Sequence, residues 1–211
     1  MVFAPVNSTK PNQTYTLLMG TFVSWNCRGI RTKLQDIKEM INNLQSVCIG
    51  LQETFLTSNI PLKLRGYNSA RKDAATGTRH SGGVCILTSN LYPCTPLTLH
   101  TSMQAVAVQV HTRSLVTICC VYLPPHDVFS QQDLETLVDQ LPTPFLLLGD
   151  FNGCSALWRS DVTNTRGRQI EQLISNNCLC LLNNNEKTYF HEPTRTFHSL
   201  DLAICSPTLM P

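Results

Sequence analysis

Short apolar runs alternate with polar punctuation along most of this chain. Residues 17–23, 47–51, 83–88, 105–110, 116–123 and 145–148 are apolar or alternating, rich in β-forming residues and bounded by Gly, Pro or polar clusters, which predicts strands. Between the first two runs, Leu34, Ile37, Met40, Ile41, Leu44 and Val47 recur at helical spacing with polar residues opposite. That spacing predicts an amphipathic helix. A second helix is expected to open at Ser130, with Asp133 three residues on as in a capping box, to turn Leu134, Leu137, Val138 and Leu141 inward, and to stop at Pro142. A third is expected over residues 167–177, with Ile170, Leu173 and Ile174 inward.

Residues 83–123 hold several strands joined by connections too short for a crossover helix, so this stretch is expected to form an antiparallel meander. With helices left to cover outer faces, the pattern predicts an α/β sandwich of mixed sheets, not a singly wound parallel sheet or an all-β barrel. The polar, Pro-containing residues 1–13 read as a flexible N-terminal segment and residues 14–211 as one domain. A chain of 211 residues is long enough to bury such a core unaided.

Charge and composition remove several function classes. Sixteen Lys and Arg against 14 Asp and Glu give a net charge of +2, so any nucleic-acid contact must come from locally grouped cations. No apolar run approaches the roughly 20 residues of a membrane-spanning helix, and the N-terminus has no secretory pattern. An intracellular chain without membrane contact is expected. In that setting five of the ten cysteines, Cys48, Cys85, Cys119, Cys120 and Cys205, sit in apolar runs and read as buried thiols. No Cys-x-x-Cys occurs, so a structural metal site is not expected.

The chemistry concentrates at strand ends. Ser24-Trp25-Asn26-Cys27-Arg28-Gly29, Leu51-Gln52-Glu53-Thr54, Tyr122-Leu123-Pro124-Pro125 and Leu148-Gly149-Asp150-Phe151-Asn152 each follow an apolar run with a polar group. Alone, Glu53 reads as a solvated carboxylate, and Asn26, Asp150 and Asn152 as turn residues. Four such ends together point to side chains gathered in one crevice.

The ordered set S-W-N-C-R-G (24–29), L-Q-E-T (51–54), G-G-V (82–84), V-Y-L-P-P (121–125), L-L-L-G-D-F-N (146–152) and S-L-D-L-A-I (199–204) resembles the endonuclease domain of non-LTR, jockey-like retrotransposons, within the endonuclease/exonuclease/phosphatase superfamily. Individually weak, the six motifs in order make a specific signal, and they cover the chain from about Leu17 onward. The resemblance implies a DNase-I-like four-layer α/β sandwich, two mixed and largely antiparallel sheets with helices outside. It implies that Glu53 binds Mg²⁺, with Mn²⁺ as a substitute, and that Asn26 lies in the same site. Asp150 then corresponds to the group that orients or deprotonates the attacking water, Asn152 to a donor to the phosphate, and Tyr122 to a contact on the phosphate or its leaving oxygen. Thr188 corresponds to a substrate-side threonine, and Asp201 to the carboxylate that orients a catalytic histidine.

The implied activity is a Mg²⁺-dependent DNA endonuclease that nicks target DNA, in a parent polyprotein continuing into a reverse transcriptase, with access to the nucleus. The family's Ser-Asp-His motif does not occur, and the six histidines, all upstream of Asp201, read as loop and surface residues. The expectation is a fragment or truncated copy with impaired activity. Two alternatives stay open: a same-fold phosphoesterase on another substrate, and a catalytically dead DNA-binding remnant. For DNA contact, Lys63, Arg65, Arg71, Lys72, Arg79 and His80 share one loop-like region, and Arg159, Arg166 and Arg168 form a second group. Trp25 and Trp158 read as packing residues.

Overall fold

A computed structural model of the chain describes residues 13–17, 20–74, 82–183, 189–192 and 195–210. The first sheet is built from β1 (Gln13–Leu17), β2 (Gly20–Asn26), β3 (Cys48–Gln52), β4 (Tyr67–Lys72) and β5 (Val84–Ser89), in the order β1-β2-β3-β5-β4. The second is built from β6 (Cys94–Leu97), β7 (Gln104–His111), β8 (Leu115–Tyr122), β9 (Phe145–Asp150), β10 (Cys180–Leu181) and a last strand at Asp201–Cys205. Between β10 and that strand lies a separate hairpin of β11 (Tyr189–His191) and β12 (Thr196–His198), so the last strand is β13. The second sheet runs β10-β13-β9-β8-β7-β6.

Each sheet contains one parallel pair, β2 with β3 and β8 with β9, and otherwise pairs antiparallel. A parallel pair needs a crossover. The helices α1 (Leu34–Leu44) and α2 (Gln131–Asp139) occupy those two connections, and α3 (Thr165–Asn176) follows β9. Ser130 caps α2 with the reciprocal bonds of a capping box to Asp133, as its sequence predicts. The Asn164 side chain caps α3, accepting from Gly167 N.

Three apolar layers separate four structural ones. Ile37 and Met40 of α1 pack with Val23, Trp25, Ile49, Leu51, Cys85 and Leu87 on one face of the first sheet. Leu134, Leu137, Ile170 and Leu173 of α2 and α3 pack with Ala107, Cys119, Val121, Leu147 and Ile204 on the outer face of the second. Between the sheets lie Phe22, Cys48, Val84 and Ile86 against Val108, Ile118, Cys120, Leu146 and Leu148. This is the four-layer sandwich. Alternation along each strand assigns its residues to the two faces, and strands buried on both faces read as continuous apolar runs. Gly50 lets the sheets close: a Cβ there would lie 2.4 Å from Leu148 Cδ1.

Two expectations change. The meander holds for β6 to β8, but β5 belongs to the other sheet, between β3 and β4. Its residues are buried on both faces, which says what covers the strand and leaves its lateral partners to be set by pairing with β3 and β4. The loop-like cationic region contains β4, an edge strand whose mixed composition, YNSARK, hides its periodicity. All ten cysteines are free, and the five expected to be buried are buried. Trp25 and Trp158 are core residues. No helix among the described residues is long and apolar enough to cross a membrane.

Candidate active site

The two parallel pairs position the site. A crossover returns the chain in the same direction, so both strands of the pair end side by side. Asn26 ends β2 beside Gln52 of β3, which puts Glu53 next to it. Tyr122 ends β8 directly opposite Asp150 of β9. Antiparallel β13 contributes its first residue to the same edge, with Asp201 in register with Asp150. Five residues from five strand ends thus meet where the sheets face each other.

Asn26 joins the two halves. Its Nδ2 donates to Glu53 Oε1 at 2.8 Å and to Asp150 Oδ2 at 2.8 Å, while its Oδ1 accepts from Arg28 N at 3.3 Å. The main chain around Glu53 is held on both sides. Gly29 N donates to Glu53 O at 2.7 Å, Ile30 N to Thr54 O at 3.1 Å, and Thr54 N and Phe55 N to Gly83 O and Gly82 O. Within this frame Glu53 has φ 51 and Phe55 φ 54, a left-handed conformation costly for residues with a Cβ and concentrated at functional sites.

Asp150 is 6% exposed and Asp201 3%. Burial, then the charge of Asp201, raises the Asp150 carboxyl from its ordinary range to about 8; Glu53 adds to the rise, and the Asn26 hydrogen bond opposes it. Burial, then the Glu53 carboxylate within hydrogen-bonding reach, pushes the Tyr122 hydroxyl well up, so it stays a donor. Asn152, at φ 49, donates from its main chain to Asp150 Oδ1 at 3.1 Å and from its amide to Leu123 O at 3.2 Å.

Among the described residues no group of three His, Cys, Asp or Glu is close enough to enclose a metal ion. A cation that keeps most of its waters needs fewer protein ligands, and hard oxygen donors suit Mg²⁺. Glu53 and Asp150 bring two carboxyl groups onto one amide, and a cation there would favour the ionised form of Asp150 that burial disfavours. This donor set fits a hard divalent cation. Asn26 turns its amide nitrogen to the carboxylates here, so ligation through its oxygen requires a half-turn of the amide.

The other sequence candidates divide. Arg71 donates to Ile60 O at 2.8 Å and pairs with Asp73 at 3.3 Å, and Lys72 Nζ donates to Thr101 O at 2.8 Å and Met103 O at 2.7 Å. Both cations are engaged with their own fold. Arg79, His80 and Thr188 lie outside the described residues. His198 corrects the surface reading of the histidines: it is 8% exposed and stacks on Tyr189, with ring centroids 6.5 Å apart. Arg166, which the sequence groups only with surface cations, reaches the site's edge. It donates to Leu123 O at 3.0 Å and Asp127 O at 2.6 Å and lies over Phe129; burial lowers its proton affinity, and the Asp127 and Asp150 carboxyl groups oppose that. The Asn164 cap at the start of α3 is the local signal that could have placed it.

Comparison with known proteins finds relatives in sequence and in fold. The family model described as Endonuclease-reverse transcriptase matches residues 116–211. The probable RNA-directed DNA polymerase from transposon X-element of Drosophila melanogaster is 26% identical over 155 residues, 72% of this chain and 17% of that protein. The RNA-directed DNA polymerase from mobile element jockey of the same species is 25% identical over 184 residues, 85% of this chain and 20% of that protein. The chain therefore spans a fifth or less of the length of these relatives. In fold it is similar to the endonuclease domain of TRAS1, a telomere-specific non-LTR retrotransposon, with TM-score 0.73, 18% identity and coverage of 89% of this chain and 84% of that one. It is also similar to the AP endonuclease LMAP of Leishmania major, with TM-score 0.68, 13% identity and coverage of 98% and 84%. Sequence relatives and fold both bear out the resemblance to non-LTR retrotransposon endonuclease domains and the DNase-I-like sandwich it implies.

Proposed function

We propose that this retrotransposon-type endonuclease domain is a Mg²⁺-dependent phosphodiesterase that nicks one strand of target DNA. The observation that carries the reading is the Asn26 amide bonded at once to Glu53 and Asp150, which brings acid and amide groups of both sheets to one point. Glu53 and Asn26 hold the cation, which when bound neutralises charge developing on the phosphate oxygens. Asp150 orients the attacking water and takes its proton. Asn152 and the Tyr122 hydroxyl donate to the phosphate and to the leaving 3′-oxygen, and Asp201 fixes the Asp150 end of the sheet. Water adds to phosphorus as the bond to the 3′-oxygen breaks, and that oxygen takes a proton from solvent, leaving a 3′-hydroxyl and a 5′-phosphate.

That hydroxyl suits a primer for a reverse transcriptase, the activity named for the sequence relatives, in a longer parent protein with nuclear access. Relaxation of supercoiled plasmid tests the reading. Nicking in Mg²⁺ that is lost in EDTA and in Glu53→Ala supports it, and equal nicking by the variant removes Glu53 from the site. Asn152→Ala is expected to slow cleavage by about 10²–10³, the usual effect of deleting one transition-state donor. Faster turnover of abasic or phosphomonoester substrates would favour a same-fold phosphoesterase instead, and salt-sensitive DNA binding without turnover a non-catalytic role.

A further inference from the structure

One layer below the candidate active site the space between the sheets is still polar. Ser24 lies two residues before Asn26, Cys120 two before Tyr122, and Gln13 of β1 is in register with Ser24. Gln52 crosses this layer from the first sheet to the second, its Nε2 donating to Ser24 Oγ at 3.2 Å and to Cys120 Sγ at 3.1 Å. Gln13, only 3% exposed, crosses it a second time: its Nε2 donates to Asp201 O at 2.8 Å. Tyr15 follows on the same face of β1, and burial, then the Asp201 charge, pushes its hydroxyl up.

The Asp201 carbonyl is held from the second sheet as well. Strand β10 stops at Leu181, opposite Ile204 and short of Asp201. Asn183 continues the edge with its side chain, Nδ2 donating to Asp201 O at 2.7 Å and Oδ1 accepting from Ala203 N at 2.9 Å, the two bonds a peptide group would make there. Across the ladder Asp201 faces Asp150, which Asn26 ties to the first sheet at the mouth of the site. One tie between the sheets leaves the Asp150–Asp201 pair a pivot; a second, one layer in, fixes its distance and tilt. Resting on the endonuclease reading above, we propose that Gln13 is a positioning residue, which with Asn183 holds the Asp201 end of β13 and so sets where Asp150 stands relative to Asn26 and Glu53. The Gln13 amide acts through a main-chain carbonyl and touches no substrate.

The test is plasmid nicking in Mg²⁺ at limiting and saturating DNA, with thermal unfolding of each variant alongside. Gln13→Met keeps the shape of the side chain and removes the donor. The expected result is a kcat lower by about 10- to 100-fold, the scale of an ångström-level misplacement, with KM unchanged. Asn183→Asp, which still accepts from Ala203 N and no longer donates to Asp201 O, should show the same split. Thr16→Ala, on the exposed face of β1, should nick as the wild type does. A role confined to stability would lower the melting temperature and return kcat to the wild-type value in an assay run well below it. That recovery, or an unchanged kcat in Gln13→Met, overturns the proposal and leaves the endonuclease reading intact; where Gln13→Met does not fold, Asn183→Asp decides by the same criterion. A wild-type chain that does not nick overturns both.

Discussion

Asp201 stands directly opposite Asp150 across the antiparallel β9–β13 pair, two acids in register and both nearly inaccessible. With Glu53 reached through the Asn26 amide, three acidic side chains gather at these strand ends. A divalent cation should therefore bind the folded chain and stabilise it. At a concentration ten times its Kd the linkage is worth about 1.4 kcal/mol, or roughly 3–6 °C for a domain of this size. Thermal unfolding in Mg²⁺ and in EDTA measures it. The same shift in Glu53→Gln would disconnect the effect from this site.

Asn26 supplies the neutral donor between those carboxylates. Asn26→Ala should cost about 1.5–3 kcal/mol, the range for hydrogen bonds to charged groups, read by urea unfolding in EDTA. Asn26→Asp should cost more there, because it sets a third negative charge where the amide stood. Mg²⁺ should narrow the gap between the two variants, and a gap indifferent to the cation would contradict the assignment.

Gly149 immediately precedes Asp150 and has φ +152, with a built Cβ 1.9 Å from Val121 O. The obstacle is main chain of the adjacent strand and cannot rotate away. Gly149→Ala should destabilise by more than about 3 kcal/mol or prevent folding, beyond the effect of ordinary substitutions. Gly66, at φ +82 with nothing within 4 Å of its Cβ position, is the control. Gly66→Ala should cost only the left-handed backbone term of about 1–2 kcal/mol. Equal losses in chemical denaturation would show that conformation alone, not the contact with β8, constrains Gly149.

Lys72 separates a structural cation from a DNA-binding one. Its ammonium is committed to the carbonyls of Thr101 and Met103, and burial lowers its proton affinity. Lys72→Met should reduce stability by about 1–3 kcal/mol, leaving two acceptors unpaired. The salt slope of DNA binding should not change. A slope lower by about 1 would instead place the ammonium on a phosphate.

Strand ends were the most legible part of the sequence, because an apolar run followed by one polar residue marks both a buried strand and the point where it emerges. Asn26, Glu53, Tyr122 and Asp150 all carry that mark, and the structure brings them together; Asp201, which opens its strand, came only from the family resemblance. The capping box of α2 was legible for a similar reason, since Ser130 and Asp133 satisfy each other locally. Sheet membership was not. Whether β5 pairs with β3 or β7 depends on contacts far apart in the chain, and its two apolar faces suit a central position in either sheet. The cationic region misled differently: a residue list gives charge, but not that the Lys72 ammonium is spent on two carbonyls of the loop before β7.

Strands β1 to β5 occupy residues 13–89 and form one sheet, whereas the second sheet draws only on residues 94–205. The boundary falls at a solvent-facing turn where Leu91 is 86% exposed. The molecule is thus divisible at one peptide bond into two pieces, one with Asn26 and Glu53 and the other with Tyr122, Asp150 and Asp201. Neither piece alone contains the acid–amide–acid bridge, and each presents the apolar face the other covers. Co-expressed halves should reassociate through that face, so that the bridge exists only where two separately encoded polypeptides meet.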